Sequence, residues 1–441
     1  MYIERSIDTA LAQWQAASDR KPLLLRGARQ TGKTTAIRQL GKRFKYFVEV
    51  NLEANRQAHA CFGERLEMAE VVHNLEIHLN CRIVPGETLL FLDEIQACPR
   101  AISALRFFYE QLPGLHVAAA GSLLEFALGE LSDFGVGRIR NLFVYPFSFR
   151  EFLKALNEEV LLSVLDEASF TRPPAEVAHR RLLEALRNYF IVGGMPAAVL
   201  KYAQTGSYYE AQREQDDILV SLKADFGKYR RRVAPEVVRR TLASVSEQMG
   251  GKFVYSNASQ DLSYQQGRLC TDLLEQARLI HRVVCSHANG LPLGGDINLT
   301  SQKFLLLDTG LYLRECGLDL REWITLPPDE FVNRGALAEL FAGLELMKAL
   351  SPFQESVLYY WHREGRNANA EVDYLIQVNN AILPVEVKSG SSGSMKSLRL
   401  FMEEKRVTLA IRTSSEPLSQ LDTIKIIPLY LLSDYERLLA P

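Results

Sequence analysis

The chain has 441 residues, a formal net charge of −2 and a hydrophobic content of 47%. Its length predicts several domains, and its hydrophobic content is sufficient for buried cores. A net charge so close to zero excludes a chain that is basic throughout, so a surface for nucleic acid would have to be a local patch. The six cysteines form no C-x-x-C pair. This spacing predicts reduced thiols in a cytoplasmic protein, and neither a zinc site nor a disulfide framework.

No segment of the sequence has the length and apolar character of a membrane span. The nearest is 117–128, which Gly121 and Glu125 interrupt. The first ten residues carry charged side chains and lack the apolar stretch of a signal peptide. We therefore expect a soluble protein without a membrane partner.

Residues 1–150 alternate candidate strands with candidate helices. The predicted strands are 23–26, 46–52, 88–92, 116–120 and 142–145. The predicted helices between them include 33–44 and 100–110. Such alternation predicts an α/β fold with a parallel sheet covered on both faces, and with ligands at the carboxyl ends of the strands.

A glycine-rich segment, 27–34, lies between the first predicted strand and the first predicted helix. It matches the phosphate-binding loop G-x-x-x-x-G-K-[ST] at every fixed position. Glycines let the backbone approach phosphate oxygens closely, and the amide groups at the start of a helix favour a polyanion. We expect the loop to bind a nucleoside triphosphate through Gly27, Ala28, Arg29, Gln30, Thr31, Gly32, Lys33, Thr34 and Thr35.

Two carboxylates follow the third predicted strand. Asp93 and Glu94 come directly after the apolar run 89–92. We expect Lys33 to contact the β- and γ-phosphates, and the Thr34 hydroxyl and Asp93 to hold Mg²⁺ between them. Glu94 is then placed to polarise a water molecule for attack on the γ-phosphate. An acidic pair alone is weak evidence, but together with the loop it predicts Mg²⁺-dependent hydrolysis of the nucleotide.

The middle of the chain is predicted to be helical and then to form a winged helix. Residues 151–235 are mainly helical in character, and 236–318 read as helices followed by a strand–loop–strand. Ser263 is a candidate cap for a helix that reaches 279, and 280–285 with 303–307 is the candidate hairpin. The residues expected on the exposed face of that helix are Tyr264, Gln265, Gln266 and Arg268. A winged helix can read DNA or dock a protein, and both alternatives stand.

The densest basic cluster lies just before this segment. It consists of Lys228, Arg230, Arg231, Arg232, Arg239 and Arg240. Such a cluster suits contact with the phosphates of DNA or RNA, although a charged run is also typical of a solvated helix face.

A second group of charged residues lies near the C-terminus. Strand alternation through 385–388 puts Glu386 and Lys388 on the same side. A neighbouring strand that carries Asp373 would bring it beside Glu386, and the two carboxylates could hold one Mg²⁺ or Mn²⁺. Lys388 would then position the attacking water and offset charge on a phosphodiester.

Several motifs in this order resemble those of a prokaryotic family of AAA+-like ATPases. The matching segments are 26–34, 121–122, 137–138, 145–152 and 193–196. The resemblance implies that the nucleotide is ATP. It also implies an AAA+-like core, a winged-helix segment and a C-terminal domain similar to PD-(D/E)xK nucleases.

The same resemblance assigns two further residues to the ATPase. Ser122 stands where AAA+ proteins place a polar sensor near the γ-phosphate, although a serine after Gly121 can simply cap the helix predicted at 123–128. Arg138 follows a glycine-containing loop and could act as an arginine finger in a neighbouring subunit, which would make the protein a homo-oligomer. The alternative is a structural or solvated arginine.

The resemblance also implies a common role for the charged residues near the C-terminus. Asp373, Glu386 and Lys388 are similar to the D…E-x-K core of the nucleases, and Glu339 fits the helical acid that often precedes it. A nuclease-like fold does not by itself establish cleavage, because such domains also serve as binding modules.

The sequence therefore predicts an ATPase core at 1–150, a helical lid or linker at 151–235, a winged helix at 236–318 and a nuclease-like domain at 319–441. The first functional hypothesis is ATP hydrolysis that drives or gates a nucleic-acid-directed activity, including metal-dependent cleavage. The alternative is an ATP-dependent switch that binds DNA or a protein partner through an inactive nuclease-like domain.

Overall fold

A computed structural model describes most of the chain. The described residues are 2–130, 137–229, 232–258, 263–317, 320, 324, 326–328, 330, 334–363, 369–378, 380–388 and 395–440. They divide into two compact units, each of which is described by itself. The N-terminal unit consists of Met1–Tyr145, Gln276–Arg278 and Ser351–Glu355, and the C-terminal unit consists of Pro146–Glu275, Leu279–Leu350 and Ser356–Pro441.

The N-terminal unit alternates strands with helices, as predicted. Its strands are β1 (Leu23–Arg26), β2 (Tyr46–Asn51), β3 (Thr88–Asp93), β4 (His116–Ala120) and β5 (Arg140–Phe143). Its helices are α1 (Ser6–Ala16), α2 (Lys33–Gly41), α3 (Met68–Leu79), α4 (Pro99–Gln111) and α5 (Leu124–Glu130). Short 3₁₀ helices lie at Arg56–Cys61 and Ile95–Ala97.

These five strands form one sheet in the order β2-β3-β4-β1-β5, and the pairings are parallel. Successive side chains of β1 enter opposite cores: Leu24 packs into one hydrophobic cluster, while Leu23 and Leu25 pack into another. A parallel sheet covered on both faces needs apolar residues at every strand position. This requirement explains why its strands could be recognised in the sequence.

Several predicted element ends in the N-terminal unit differ from the structure by one to three residues, and β5 and α2 show why. Strand β5 covers Arg140–Phe143 and not 142–145, because its register pairs Arg140 with Leu23 at the start of β1. Helix α2 ends at Gly41 and not at 44, because the next backbone amides bond three residues back in tighter turns.

The C-terminal unit combines many helices with a second sheet. Its helices are α6 (Phe149–Ala155), α7 (Glu159–Glu167), α8 (Glu176–Val192), α9 (Pro196–Thr205), α10 (Tyr208–Ala224), α11 (Pro235–Glu247), α12 (Tyr255–Ala258), α13 (Tyr264–Gln276), α14 (Thr309–Glu315), α15 (Gly335–Ala349), α16 (Lys396–Lys405) and α17 (Tyr435–Leu439). Its strands are β6 (Ile280–Ser286), β7 (Ile297–Leu306), β8 (Leu358–Arg363), β9 (Ala370–Val378), β10 (Ala381–Val387), β11 (Ala410–Ser414), β12 (Ser419–Leu421) and β13 (Ile424–Pro428). Short 3₁₀ helices lie at Asp225–Tyr229, Leu293–Gly295 and Leu429–Asp434.

This second sheet joins strands that the sequence assigned to different domains. Its order is β12-β13-β11-β10-β9-β8-β6-β7, with parallel and antiparallel pairs. The hairpin β6–β7, predicted as part of a winged helix at 236–318, pairs through β6 with β8. The predicted boundary between 318 and 319 therefore separates strands of one sheet. Hydrogen bonds between β6 and β8 satisfy backbone groups that an isolated hairpin would leave at its edge.

Helix α15 runs through the interior of this unit. Its side chains are buried from Leu337 to Met347, which is the pattern of a helix surrounded on all sides. Two of the buried residues are acidic, Glu339 and Glu345, and each forms an ion pair with a lysine. Charges inside a protein require such partners.

The motif segments 145–152 and 193–196 meet inside the C-terminal unit. Phe147 N donates to Gly194 O at 2.7 Å, and Gly194 N donates to Asp308 Oδ2 at 2.6 Å. Gly193 has a φ of +72°, and a Cβ there would lie 2.1 Å from Asp308 Oδ1. These segments therefore form a structural junction in which only glycine fits.

Candidate functional site

The predicted phosphate-binding loop connects β1 to α2. Gly27 has a φ of +151°, and a Cβ at this position would lie 2.2 Å from the carbonyl oxygen of Val144. Gly32 also has a positive φ, of +90°. Both fixed glycines of the motif are thus required by the backbone, because side chains rarely adopt this conformation.

The loop is held in shape by a hydrogen bond within it and by another from Arg5. Thr31 Oγ1 donates to Ala28 O at 3.0 Å, and Arg5 Nη1 donates to Thr31 O at 2.8 Å. Of the other residues predicted to bind the nucleotide, Ala28 is buried, Arg29 is half-buried, and Gln30 and Thr35 are exposed. Their roles stay predictions.

Lys33 is the first residue of α2, and its side chain reaches back to the start of the loop. Its ammonium group donates to Gly27 O at 2.9 Å and to Ala28 O at 2.7 Å. Burial lowers the pKa of Lys33 to about 8, although the charges of Glu94 and Asp93 oppose the shift. Among the described residues, Lys33 forms no ion pair. A buried cation without a carboxylate partner is suited to an anionic ligand such as phosphate.

Thr34 and Asp93 meet at the ends of α2 and β3. Thr34 Oγ1 lies 3.3 and 3.2 Å from the two carboxylate oxygens of Asp93. Burial, together with the neighbouring Glu94, raises the pKa of Asp93. A hydroxyl and a carboxylate side by side are the oxygen ligands that Mg²⁺ accepts, so this pair fits the predicted metal.

The carboxylate of Glu94 is held by Ser122, which follows the neighbouring strand β4, and by Gln96, which follows Glu94 itself. Its Oε2 accepts hydrogen bonds from Ser122 Oγ at 3.0 Å and from Gln96 Nε2 at 2.6 Å. Its backbone is left-handed, with a φ of +49°. The structure thus brings Ser122 to the predicted catalytic acid. Gln96 was missed by the sequence reasoning, and its position two residues after Glu94 in a tight turn is the only signal that could have indicated it.

Arg138 contacts a residue of its own unit. Its Nε forms an ion pair with the carboxylate of Glu110 on α4. Residues 133–136 of the loop that precedes it lie outside the described residues. The predicted action of Arg138 in a neighbouring subunit therefore stays a prediction.

A half-buried pair of arginines next to the loop was also missed. Arg26 and Arg278 both bind the carboxylate of Glu125, with Arg278 Nη2 at 3.0 Å from Oε1. The three residues lie far apart in the sequence, so no local pattern indicated the network.

The residues of the predicted nuclease-like core meet in the C-terminal unit. The register that pairs Tyr374 with Val385 puts Asp373 beside Glu386 on adjacent antiparallel strands. Asp373 Oδ2 accepts a hydrogen bond from Val387 N at 2.7 Å, and Lys388 Nζ forms an ion pair with Glu386. Burial and the charge of Asp373 raise the pKa of Glu386 to about 7.

A lysine that the sequence reasoning missed lies among these acids. Lys303 Nζ, from β7, is 2.8 Å from Glu339 Oε1, 2.5 Å from Glu371 Oε1 and 4.0 Å from Asp373 Oδ1. Burial lowers the pKa of Lys303, but the charges of Glu339, Asp373 and Glu371 outweigh it and hold the pKa above its ordinary value. We call Lys303, Glu339, Glu371, Asp373, Glu386 and Lys388 the acidic centre. Within the described ranges, no three His, Cys, Asp or Glu side chains are grouped so that they could hold a metal ion.

The predicted nucleic-acid surfaces are only partly within the described residues. On α13, Ser263 Oγ accepts from Gln266 N at 3.2 Å, which confirms the predicted cap. Tyr264, Gln265 and Arg268 are exposed on this helix. In the basic cluster, Lys228 pairs with Asp225, and both Arg239 and Arg240 pair with Glu236. Arg230 and Arg231 lie outside the described residues.

Comparison with known proteins identifies the N-terminal region. Residues 19–153 match the family described as an AAA domain. Residues 183–322 and 334–432 match two domains of unknown function, DUF8612 and DUF4143. The first match, together with the loop geometry, supports an AAA+-like P-loop ATPase in the N-terminal unit.

The relatives that match nearly the whole chain assign no function to it. Uncharacterized proteins of Mycobacterium bovis and Mycobacterium tuberculosis are 25% identical over 438 residues, which cover 97% of this chain and 84% of each relative.

Two solved structures resemble the chain at low scores. A Walker-type ATPase of Pyrococcus abyssi has a TM-score of 0.46 at 13% identity, over 71% of this chain and 96% of that chain. The ORC1 protein of Aeropyrum pernix, solved in complex with DNA, has a TM-score of 0.30 at 14% identity, over 77% of this chain and 95% of that chain. Likenesses at this level carry no functional assignment.

No helix within the described ranges is both long enough and apolar enough to span a membrane.

Proposed function

We propose that the N-terminal unit binds Mg²⁺-ATP and hydrolyses it, and that hydrolysis drives or gates a nucleic-acid-directed activity. The observation that carries the ATPase proposal is the convergence of Lys33, Thr34, Asp93 and Glu94 at the carboxyl edge of one parallel sheet. Ligands of such sheets bind at that edge.

Each residue has a distinct task in this proposal. Lys33 is ready to exchange its carbonyl partners for phosphate oxygens, and the adjacent amide groups at the start of α2 favour the same anion. Thr34 and Asp93 would hold the magnesium ion, which neutralises phosphate charge when it is bound. Glu94 would orient the attacking water and accept its proton, while Ser122 keeps the Glu94 carboxylate in position.

The ATPase proposal is tested by separating binding from hydrolysis. We expect Glu94→Gln to retain ATP binding and to lose about 10²–10⁴-fold in kcat, the range for removal of a general base. Glu87→Gln is the matched control, because Glu87 precedes the opposite end of β3 and pairs with Lys45 at the surface. Unchanged phosphate release by Glu94→Gln would exclude the proposed role.

The nucleic-acid part of the proposal is supported by the surface of α13. Tyr264, Gln265 and Arg268 are exposed next to each other at its start. An aromatic, an amide and a guanidinium are residues that contact bases and phosphates. We expect Arg268→Ala to weaken DNA or RNA binding, and Arg180→Ala, an exposed arginine of α8 paired with Glu176, to leave it unchanged. Equal binding by both variants would favour a protein partner.

We consider two alternative functions for the C-terminal unit, which are cleavage of nucleic acid and binding without cleavage. Cleavage would use Asp373 and Glu386 as metal ligands, with Mg²⁺ or Mn²⁺, and Lys388 to position water. Binding without cleavage is favoured by Lys303, whose ammonium group forms ion pairs with both Glu339 and Glu371. The test is incubation of the ATP-loaded chain with single- and double-stranded DNA and RNA in Mg²⁺ and in Mn²⁺. Products that disappear in Lys388→Ala would establish cleavage.

Arg138 is also part of the proposal. A finger supplied in trans requires a homo-oligomer, so we expect the mass of the protein to increase with Mg²⁺-ATP. We also expect Arg138→Ala to lose activity that mixing with Lys33→Met subunits partly restores. Full activity in a monomer would exclude this role.

A further inference from the structure

The acidic centre contains a cation that belongs to the chain itself. Lys303 is 1% exposed, and its ammonium group contacts Glu339 on α15 and Glu371 on β9. Asp373, on the same strand as Glu371, has its Oδ1 at 4.0 Å. The ammonium group is therefore surrounded by carboxylates from two separate elements, and its own strand supplies none of them.

The surroundings of Lys303 fix its position as well as its charge. Its Nζ lies 5.1 Å from the centre of the Tyr360 ring, a favourable cation–π distance. Tyr360 in turn shares a hydrogen bond of 2.8 Å with Ser301, two residues before Lys303 on β7. On the acidic side, Tyr374 OH donates to the backbone oxygen of Glu339 at 2.7 Å. Both partners of the ion pair are thus held by further buried groups.

A divalent ion would need the same oxygens. Mg²⁺ requires carboxylate or other oxygen ligands close to an octahedral arrangement, and Mn²⁺ prefers oxygen ligands of the same kind. In the predicted nuclease-like site these ligands would be Glu339, Asp373 and Glu386. The Lys303 ammonium lies against Glu339 and faces Asp373, so an ion bound to both would lie next to a like charge in a region of low dielectric.

We infer that the Lys303 ammonium is a permanent cation that takes the place of a divalent metal ion between Glu339 and Asp373. The C-terminal unit then keeps its acidic residues together without a metal. This inference deepens the non-cleaving output proposed above and rests on that part of the proposed function. No three of the described carboxylates are grouped so that they could hold a metal ion while Lys303 lies among them, and the inference predicts that they can close around one once the charge of Lys303 is removed.

The test measures Mn²⁺ binding by the full chain without nucleotide, from the electron paramagnetic resonance of free Mn²⁺ and from the thermal midpoint. For the wild type we expect no ion at the acidic centre. We expect Lys303→Met, which keeps an unbranched side chain and removes the charged ammonium group, to bind one additional Mn²⁺. Its thermal midpoint should rise by roughly 2–3 °C at a Mn²⁺ concentration about tenfold above the Kd.

Two variants control for the identity of the site. Lys303→Met combined with Glu339→Gln should lose the additional ion, because it removes one ligand. Lys348→Met is the matched control: Lys348 is a second buried lysine paired with an acid of α15, Glu345, and its removal should create no Mn²⁺ site. Failure of Lys303→Met to gain an ion over the wild type overturns the inference.

A comparison that needs no change at Lys303 keeps the inference testable if Lys303→Met does not fold. Mn²⁺ binding by the wild type that Asp373→Asn abolishes would overturn the inference, whereas equal binding by the wild type and Asp373→Asn would support it. The measurement uses no nucleotide, so failure of ATP hydrolysis in a separate assay would contradict only the ATPase proposal. Wild-type cleavage of DNA that requires Asp373 would contradict the non-cleaving output and the inference together.

Discussion

The two units each contain a buried lysine, and their surroundings differ in one respect. Lys33 donates to backbone carbonyl oxygens, and burial lowers its pKa to about 8. Lys303 lies among carboxylates, which hold its pKa above the ordinary value against the effect of burial. The first ammonium group forms no ion pair among the described residues and is suited to an anion from outside. The second is already compensated by the protein.

This difference shows why the type of residue alone does not identify a site. A buried lysine costs free energy in both places, because a charged group has been taken out of water. In the phosphate-binding loop, a bound anionic ligand can offset that free-energy cost. In the acidic centre, the ion pairs with Glu339 and Glu371 already offset that cost, so we expect the residues that resemble a metal site to bind a metal weakly.

The largest expected effect is on stability, in the C-terminal unit. Lys303→Met leaves buried carboxylates without a partner, and removal of one member of a buried ion pair costs about 3–5 kcal/mol. We expect the free energy of unfolding, measured by urea titration without divalent ions, to fall by that amount. A fall below about 1 kcal/mol would mean that Lys303 and Lys33 do not differ as described.

The next effect is on activity, in the N-terminal unit. Lys33→Met removes a cation that forms no ion pair with a described carboxylate and is positioned for phosphate, so we expect ATP hydrolysis to fall about 10²–10³-fold. We expect the free energy of unfolding without nucleotide to stay level or to rise, because desolvation of Lys33 disfavours its charge. Lys42→Met, at the exposed end of α2, is the control and should change neither quantity. Marked destabilisation by Lys33→Met would contradict the comparison.

A third buried base extends the comparison to pH. His116 is buried beside Trp14 and Phe44, and burial together with the charge of Arg20 lowers its pKa to about 4. The unfolded chain, with an ordinary pKa near 6.5, binds the proton more readily, so stability is lost as the pH falls from 6.5 towards 4. We expect His116 to account for about 2 kcal/mol of the stability lost between pH 7 and pH 5.

The measurement for His116 is urea unfolding at both pH values. His116→Phe should reduce the loss of stability between them, and His73→Phe, at an exposed position of α3, should not. An equal loss in the two variants would mean that His116 does not behave as an uncompensated buried base.

The smallest expected effect concerns Ser122. Ser122→Ala removes one hydrogen bond to the Glu94 carboxylate, which corresponds to about a tenfold fall in kcat. Ser122→Thr should restore most of it. If Ser122 served only as a helix cap, the alanine variant would lower the free energy of unfolding and leave kcat unchanged.

The sequence predicted the parts of the molecule in which local pattern reflects global structure. Strands of a parallel sheet are apolar throughout, so β1 and β4 were identified with their observed bounds. The phosphate-binding loop was identified because its glycines and Lys33 occupy adjacent positions of one turn. Its other partners, Asp93 and Glu94, follow a recognisable strand.

The acidic centre could be predicted only in part. Asp373 and Glu386 lie on consecutive strands, and their proximity followed from the order of the strands. Lys303 is 36 residues from Glu339, and its pairing depends on a sheet that joins β6–β7 to β8. The only local signal was a lysine at the start of the predicted strand 303–307, and nothing near it in the sequence indicated an acidic partner.

The composition of the N-terminal unit has a consequence for synthesis. Besides 1–145 it includes 276–278 and 351–355, which provide Arg278 as a partner of Glu125 and the Pro352 carbonyl oxygen that accepts from Phe143 N at 2.7 Å. At a ribosomal rate of about 5–20 residues per second, 351–355 follow residue 145 by roughly 10–40 s, and Arg278 follows it by roughly 7–27 s. During that interval the nascent ATPase unit lacks Arg278, one of the two arginines that bind Glu125. Completion of the N-terminal unit is therefore linked to translation of much of the C-terminal unit.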